Sequence, residues 1–166
     1  DTRVKALVLR SAKDRIFVAG ADIKAIRSMQ HVRVNDLIWL GQAVFDRLAR
    51  LNKPKVAAIH GACMGGGFEV TLACDWRIAS DHPSTKIGLP ETQLGILPAW
   101  GGSTRLPRLI GVRKALDLIT SGKLLKRRRN IAVSLGAATA GGPALLSSGT
   151  RKRPATHPAR CIDKPL

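Results

Sequence analysis

The chain of 166 residues is long enough for one domain with a packed core, and its hydrophobic content of 45% fits a globular protein. No apolar run reaches the roughly 20 residues that span a bilayer, and Asp1-Thr2-Arg3-Val4-Lys5 does not form a signal peptide. The net charge of +17 is unevenly placed, because residues 126–166 hold nine of the 28 Lys/Arg and one of the 11 acids.

Val4–Leu9 reads as a buried strand and Ile16-Phe17-Val18 as a second extended run. Ala19-Gly20 makes a turn, and Ala21 or Asp22 opens a short helix through Met29. Residues 36–51 give the clearest helix. Leu37, Leu40, Val44, Leu48 and Leu51 fall on one face, Asp36 is placed to cap it, and Asn52-Lys53-Pro54 stops it. Trp39 is expected in the core. Lys55–Ile59 is the next strand, followed by a glycine turn and a small-residue helix over Glu69–Cys74. Trp76–Ala79 and Lys86–Gly88 are strands. A turn over Pro98–Gly102 enters a helix at Ser103 that breaks near Pro107, and Val112–Thr120 is a further helix. Strands alternating with helices predict an α/β layered domain.

Residues 126–166 differ in kind. Of these 41 residues, 27 are Ala, Gly, Pro, Ser, Thr or Arg, a composition that predicts little packed structure. Cys63, Cys74 and Cys161 are an odd set without metal-ligand spacing, which predicts a reducing, cytoplasmic setting and no metal site. His60 and Cys63 stand three apart, but no second pair completes a zinc set.

The chemistry concentrates at Gly65-Gly66-Gly67-Phe68-Glu69 and Pro90-Glu91. Three glycines let backbone N–H groups approach a ligand. One carboxylate follows on the first turn of a helix, and a second arrives 22 residues later behind a proline. This suits a site that polarises a carbonyl with backbone donors and moves protons with a carboxylate pair. Taken singly, Glu69 could be a dipole-supporting helix acid and Glu91 a solvated loop acid.

Several spaced motifs agree on more. Phe17-Val18-Ala19-Gly20-Ala21-Asp22-Ile23-Lys24, His60-Gly61-Ala62-Cys63-Met64-Gly65-Gly66-Gly67-Phe68-Glu69, Ala73-Cys74-Asp75 and Gly88-Leu89-Pro90-Glu91 together resemble the crotonase (enoyl-CoA hydratase/isomerase) superfamily. The match continues through Leu94–Pro98 and Gly101–Arg108, and it covers roughly residues 3–125. The wording around Glu91 is closest to the hydratase domain of multifunctional fatty-acid oxidation α-subunits.

The resemblance implies a crotonase (ClpP-like) fold of repeated ββα units, incomplete here at both ends, with residues 1–125 as the hydratase domain. It implies backbone N–H groups of Ala21 and Gly66 as the oxyanion hole for an acyl-CoA thioester. Glu69 and Glu91 would be the catalytic pair that holds a water against the α,β double bond. Gly20, Asp22, Ile23, Lys24, Gly65 and Gly67 would contact substrate, although Asp22 could simply cap its helix and Lys24 could be solvated. Residues 27–36 would form a variable pocket-lining loop. No metal or redox cofactor is implied, since CoA belongs to the substrate; partners would be further copies in a trimer or hexamer, or a β-oxidation complex. Arg105 and Arg108 are expected on a surface helix or in structural pairs.

Three features depart from the pattern. In the family a first β-hairpin usually precedes the opening strand, so a missing start is expected. The usual Pro-Gly-x-Gly-Gly reads Pro98-Ala99-Trp100-Gly101-Gly102, where Ala99 resists positive φ. After Leu125 the match stops, and the codons that could encode Lys126–Leu135 permit Ala-Lys-Ala-Glu, two residues, then Gly-Leu-Val, as the family would read. The tail is therefore expected to be a frameshifted translation. Competing readings are a Δ3-Δ2-enoyl-CoA isomerase, an inactive fragment, and a basic nucleic-acid-binding protein. The last is disfavoured by the absence of Tyr and by the core-like contexts of Phe17, Phe45 and Phe68.

Overall fold

Short apolar runs and helices recur in the order strand, strand, helix, and a computed structural model shows what that order builds. It describes residues 1–29, 31–126 and 138–139. In each repeat the first strand joins one parallel sheet and the second strand joins another. β1 (Leu7–Leu9), β3 (Lys55–Ile59) and β5 (Trp76–Ala79) are neighbours in the first sheet; β2 (Ile16–Val18), β4 (Ala62–Met64) and β6 (Lys86–Gly88) form the second. A two-residue β7 (Ala138–Thr139) extends the first sheet beside β5. Parallel neighbours need long crossovers, and these carry α1 (Ile23–Ser28), α2 (His31–Arg50) and α3 (Gly66–Leu72), with α4 (Gly102–Ile110) and α5 (Val112–Ser121) after β6. The repeated ββα architecture is the one the resemblance implies.

Alternation in β3 buries Lys55, Ala57 and Ile59. Ile59 joins Phe17, Cys63, Phe68, Ile87 and Leu106 in the core. Lys55 is only 3% exposed, yet its charge is matched. Its ammonium lies 3.1 Å from Asp75 and donates to the carbonyls of Leu51 and Lys53, while Asp75 also accepts the Lys55 backbone N–H. The motif Ala73-Cys74-Asp75 thus ties the start of β3 to the start of β5.

The structure corrects several expectations. β1 is shorter than Val4–Leu9 and is not buried: Val8 is 66% exposed, because β1 is an edge strand paired only with β3 among the described residues. β4 hides inside the expected glycine turn, since three residues between glycines give no alternation to read. α2 starts at His31, so Asp36 lies within the helix and residues 31–36 are not a loop; no Gly or Pro interrupts them. Its inward face is also rotated. Leu40 and Val44 are exposed, and Trp39, expected in the core, is 69% exposed. α3 begins three residues earlier than expected. α4 runs through Pro107 without breaking, held by buried Leu106 and by packing on α5. Of the segment 126–166, Lys126 and Ala138–Thr139 are described; the rest of that expectation, with Cys161, lies outside the described residues.

Candidate active site

The site is built where the second sheet hands its strands to helices. After β4 the chain turns at Gly65, whose φ of 57° with ψ of −132° is open to glycine alone. Its N–H donates to the carbonyl of Gly88, which joins the turn to β6. The carbonyl of Gly65 then accepts from Phe68 and Glu69 and starts α3. Gly66 is the first helical residue, so its N–H has no partner within the helix. After β2 the chain turns at Gly20 and presents Ala21, whose N–H likewise has no acceptor among the described residues.

Glu69 extends from the first turn of α3 and is 2% exposed. One oxygen, Oε1, accepts two backbone hydrogen bonds, from Trp100 at 2.8 Å and Gly102 at 2.7 Å. Burial raises its pKa, while those two N–H groups and the nearby Arg105 charge pull it back toward the ionised form. The Arg105 guanidinium also donates to the carbonyl of Trp100 and pairs with Asp46 of α2, bracing the loop that holds Glu69. Glu91 sits on a short 3₁₀ turn, Pro90–Leu94, and is 9% exposed. Its Oε2 is buried without a hydrogen-bond partner. Burial, with the Glu69 charge adding to it, pushes its pKa up to about 7.

Both carboxylates line one mostly apolar cavity of about 520 Å³. Gly20, Ala21, Gly65 and Gly66 line the same cavity, with Ile23, Ile26, Val34, Leu37 and Ile38 forming its apolar wall. Backbone donors, two acids and an apolar chamber are therefore in one place. The sequence model of the enoyl-CoA hydratase/isomerase family matches residues 1–128. The chain belongs to that family.

Among the family's members, fatty acid oxidation complex subunit alpha from Aliivibrio fischeri is 49% identical over 141 residues, covering 84% of this chain and 20% of that protein. The Vibrio cholerae protein of the same name is 48% identical over 128 residues, 76% of this chain and 18% of that one. The crystal structure of enoyl-CoA hydratase from Bacillus anthracis superposes with a TM-score of 0.78 at 36% identity, covering 84% of this chain and 54% of that one. Enoyl-CoA hydratase from Thermoplasma volcanium gives 0.76 at 31%, covering 82% and 54%. The architecture is the crotonase fold. The chain spans about a fifth of the curated relatives' length and about half that of the solved structures.

Not every residue expected to contact substrate faces the cavity. Asp22 caps α1, its Oδ1 accepting from the N–H groups of Lys24 and Ala25. The exposed Lys24 does not line the chamber, and Gly67 packs on β2, where a Cβ would meet the Val18 carbonyl at 2.2 Å. Arg105 pairs structurally, and Ala99 sits without positive φ, its carbonyl accepting from Gln42. His60 bonds the Lys13 carbonyl while Cys63 faces the Gly67 carbonyl, so the two do not converge. Trp100 and Gly41 escaped the sequence reading. Their signal, an aromatic ring opposite glycines 41 and 66, is visible only once α2 and α3 are brought together.

Proposed function

We propose that this chain adds water across the C2=C3 bond of trans-2-enoyl-CoA thioesters, in the setting of fatty-acid β-oxidation. The observation that carries the reading is the unequal pair of buried acids on one apolar chamber. Glu69 is held by two N–H groups through one oxygen and faces Arg105, an environment suited to a carboxylate base. Glu91 has an unpartnered oxygen and a pKa near neutrality, an environment suited to carrying a proton. The thioester oxygen would accept from the N–H groups of Ala21 and Gly66, the latter at a helix N-terminus. Such a donor is typically worth about 3–4 kcal/mol of barrier.

Glu69 takes a proton from water as the hydroxyl bonds to C3. The π electrons shift toward the thioester oxygen, and Glu91 delivers its proton to C2. Exchange with solvent restores both acids. This chemistry calls on no resident metal or redox group; CoA is part of the substrate. Residues 1–125 would form the catalytic domain. The exposed Val8, Trp39, Leu40 and Trp76 suit packing against further copies or further domains of a larger protein. Among the described residues no helix is long and apolar enough to cross a membrane.

Double-bond isomerisation needs chiefly one carboxylate, so two buried acids favour hydration. Incubating the protein with 2-enoyl-CoA and 3-enoyl-CoA separates the two. Hydration adds the mass of water to the 2-enoyl substrate, whereas conversion of 3-enoyl to 2-enoyl without mass gain would overturn the proposal.

A further inference from the structure

Trp100 stands where two glycines leave room for it. A Cβ on Gly41 of α2 would lie 2.3 Å from the indole Nε1, and one on Gly66 of α3 would lie 2.5 Å from Cζ3. The ring therefore fills a slot between two helices that carry no side chain at either flank. Phe45 meets it edge-on, with ring centroids 5.8 Å apart and planes at 84°. Trp100 lines the apolar chamber that contains Glu69 and Glu91. It also lines a second cavity of about 460 Å³, bounded by Gln42, Asp46, Arg105 and Arg108. Leu97 and Ala99 border both spaces as well.

We propose that the Trp100 indole is the end wall of the acyl site and sets the longest chain the protein accepts. The substrate class is then 2-enoyl thioesters whose tails end within the apolar chamber. This rests on reading that chamber as the acyl site. A growing tail gains from apolar contact until it meets the ring. The second cavity that Trp100 lines holds the Asp46–Arg105 ion pair and Gln42, which offer a tail no comparable surface. The two glycines fix the ring's position, since any side chain at residue 41 or 66 would displace it. The backbone N–H of Trp100 holds Glu69 whatever side chain residue 100 carries, so wall and base are separable by substitution.

The test is kcat/KM for four-, eight- and sixteen-carbon trans-2-enoyl-CoA with the unmodified chain, W100F, W100A and G41A. In W100A the sixteen- to four-carbon ratio should rise roughly tenfold or more, with W100F between. In G41A the added methyl must displace the ring, and the ratio should depart from that of the unmodified chain. Parallel loss at all lengths, with unchanged ratios, would show that the ring only supports its loop and would overturn the proposal. If W100A fails to fold, W100F and G41A decide by the same ratio. If the unmodified chain hydrates no thioester, the hydratase reading fails separately. Calorimetric binding of saturated acyl-CoA of the same lengths then reads the wall: a selective gain for the longest chain in W100A supports it, and an unchanged order of affinity overturns it.

Discussion

Glu91 occupies the space that a side chain at Gly65 would need, for a Cβ there would sit 2.9 Å from Glu91 Oε1. The turn that frees the Gly66 N–H is thus also the turn that makes room for the second acid. Gly65→Ala should strain the backbone and push the carboxylate together. The strain is expected to cost about 1–3 kcal/mol, read as a lower denaturant midpoint, and the displaced Glu91 should lower hydration about tenfold for each ~1.4 kcal/mol of transition-state stabilisation lost. Unchanged stability in Gly65→Ala would mean that the turn tolerates a side chain.

The acidity of Glu91 predicts how the protein responds to pH. Its pKa is raised from 4.5 to about 7 by burial, so the folded state binds this proton more tightly than the unfolded chain. The linked stability is present below about pH 4.5 and is lost as pH rises through about 7, a change on the order of 3 kcal/mol. Glu69 shifts in the same direction. Chemical denaturation at about pH 5.5 and about pH 8 should show the lower midpoint at the higher pH, and Glu91→Gln should flatten the difference. A Glu91 that must donate a proton also predicts that kcat declines as pH passes neutrality.

Arg105 braces the Trp100 carbonyl and pairs with Asp46, and its charge favours ionised Glu69. Arg105→Met keeps most of the packing but removes these contacts. A fall of about tenfold to a hundredfold in kcat is expected from the loosened base, with KM nearly unchanged. A change confined to KM would assign Arg105 to substrate binding instead.

Asp75 is the counter-charge of buried Lys55. Asp75→Asn leaves an ammonium 3% exposed with carbonyl partners alone. A loss of about 2–3 kcal/mol is expected, below the full cost of a deeply buried pair because Asp75 itself is half-exposed. Lys55→Met should cost less, since it removes the charge together with its need for a partner. Urea midpoints that rank the two variants in the opposite order would contradict this.

Much of the candidate site was legible because its parts are local. The three glycines, Glu69 on the turn that follows and the proline before Glu91 are each set by neighbours in sequence. Asp22 was legible both as a cap and as a candidate contact, and the geometry places it as a cap. What escaped was long-range. The apolar face of α2 read as Leu37, Leu40 and Val44, yet Val34, Leu37 and Ile38 line the chamber while Leu40 and Val44 point outward. Helical period fixes the spacing of a face, not which of two overlapping apolar stripes meets the site. Trp100 carried no periodic signal at all. Its place depends on Gly41 and Gly66, which are distant in the chain, and on the loop N–H groups that Glu69 recruits.

The most direct measurement is the hydration of crotonyl-CoA, followed as loss of the enoyl thioester absorbance, by the unmodified chain, Glu69→Gln and Glu91→Gln. Positioned acid–base groups contribute about a hundredfold to ten-thousandfold each, so each substitution should lower kcat by that order while circular dichroism stays unchanged. Turnover that survives both substitutions in folded protein would contradict the assignment of Glu69 and Glu91 as the water-activating pair.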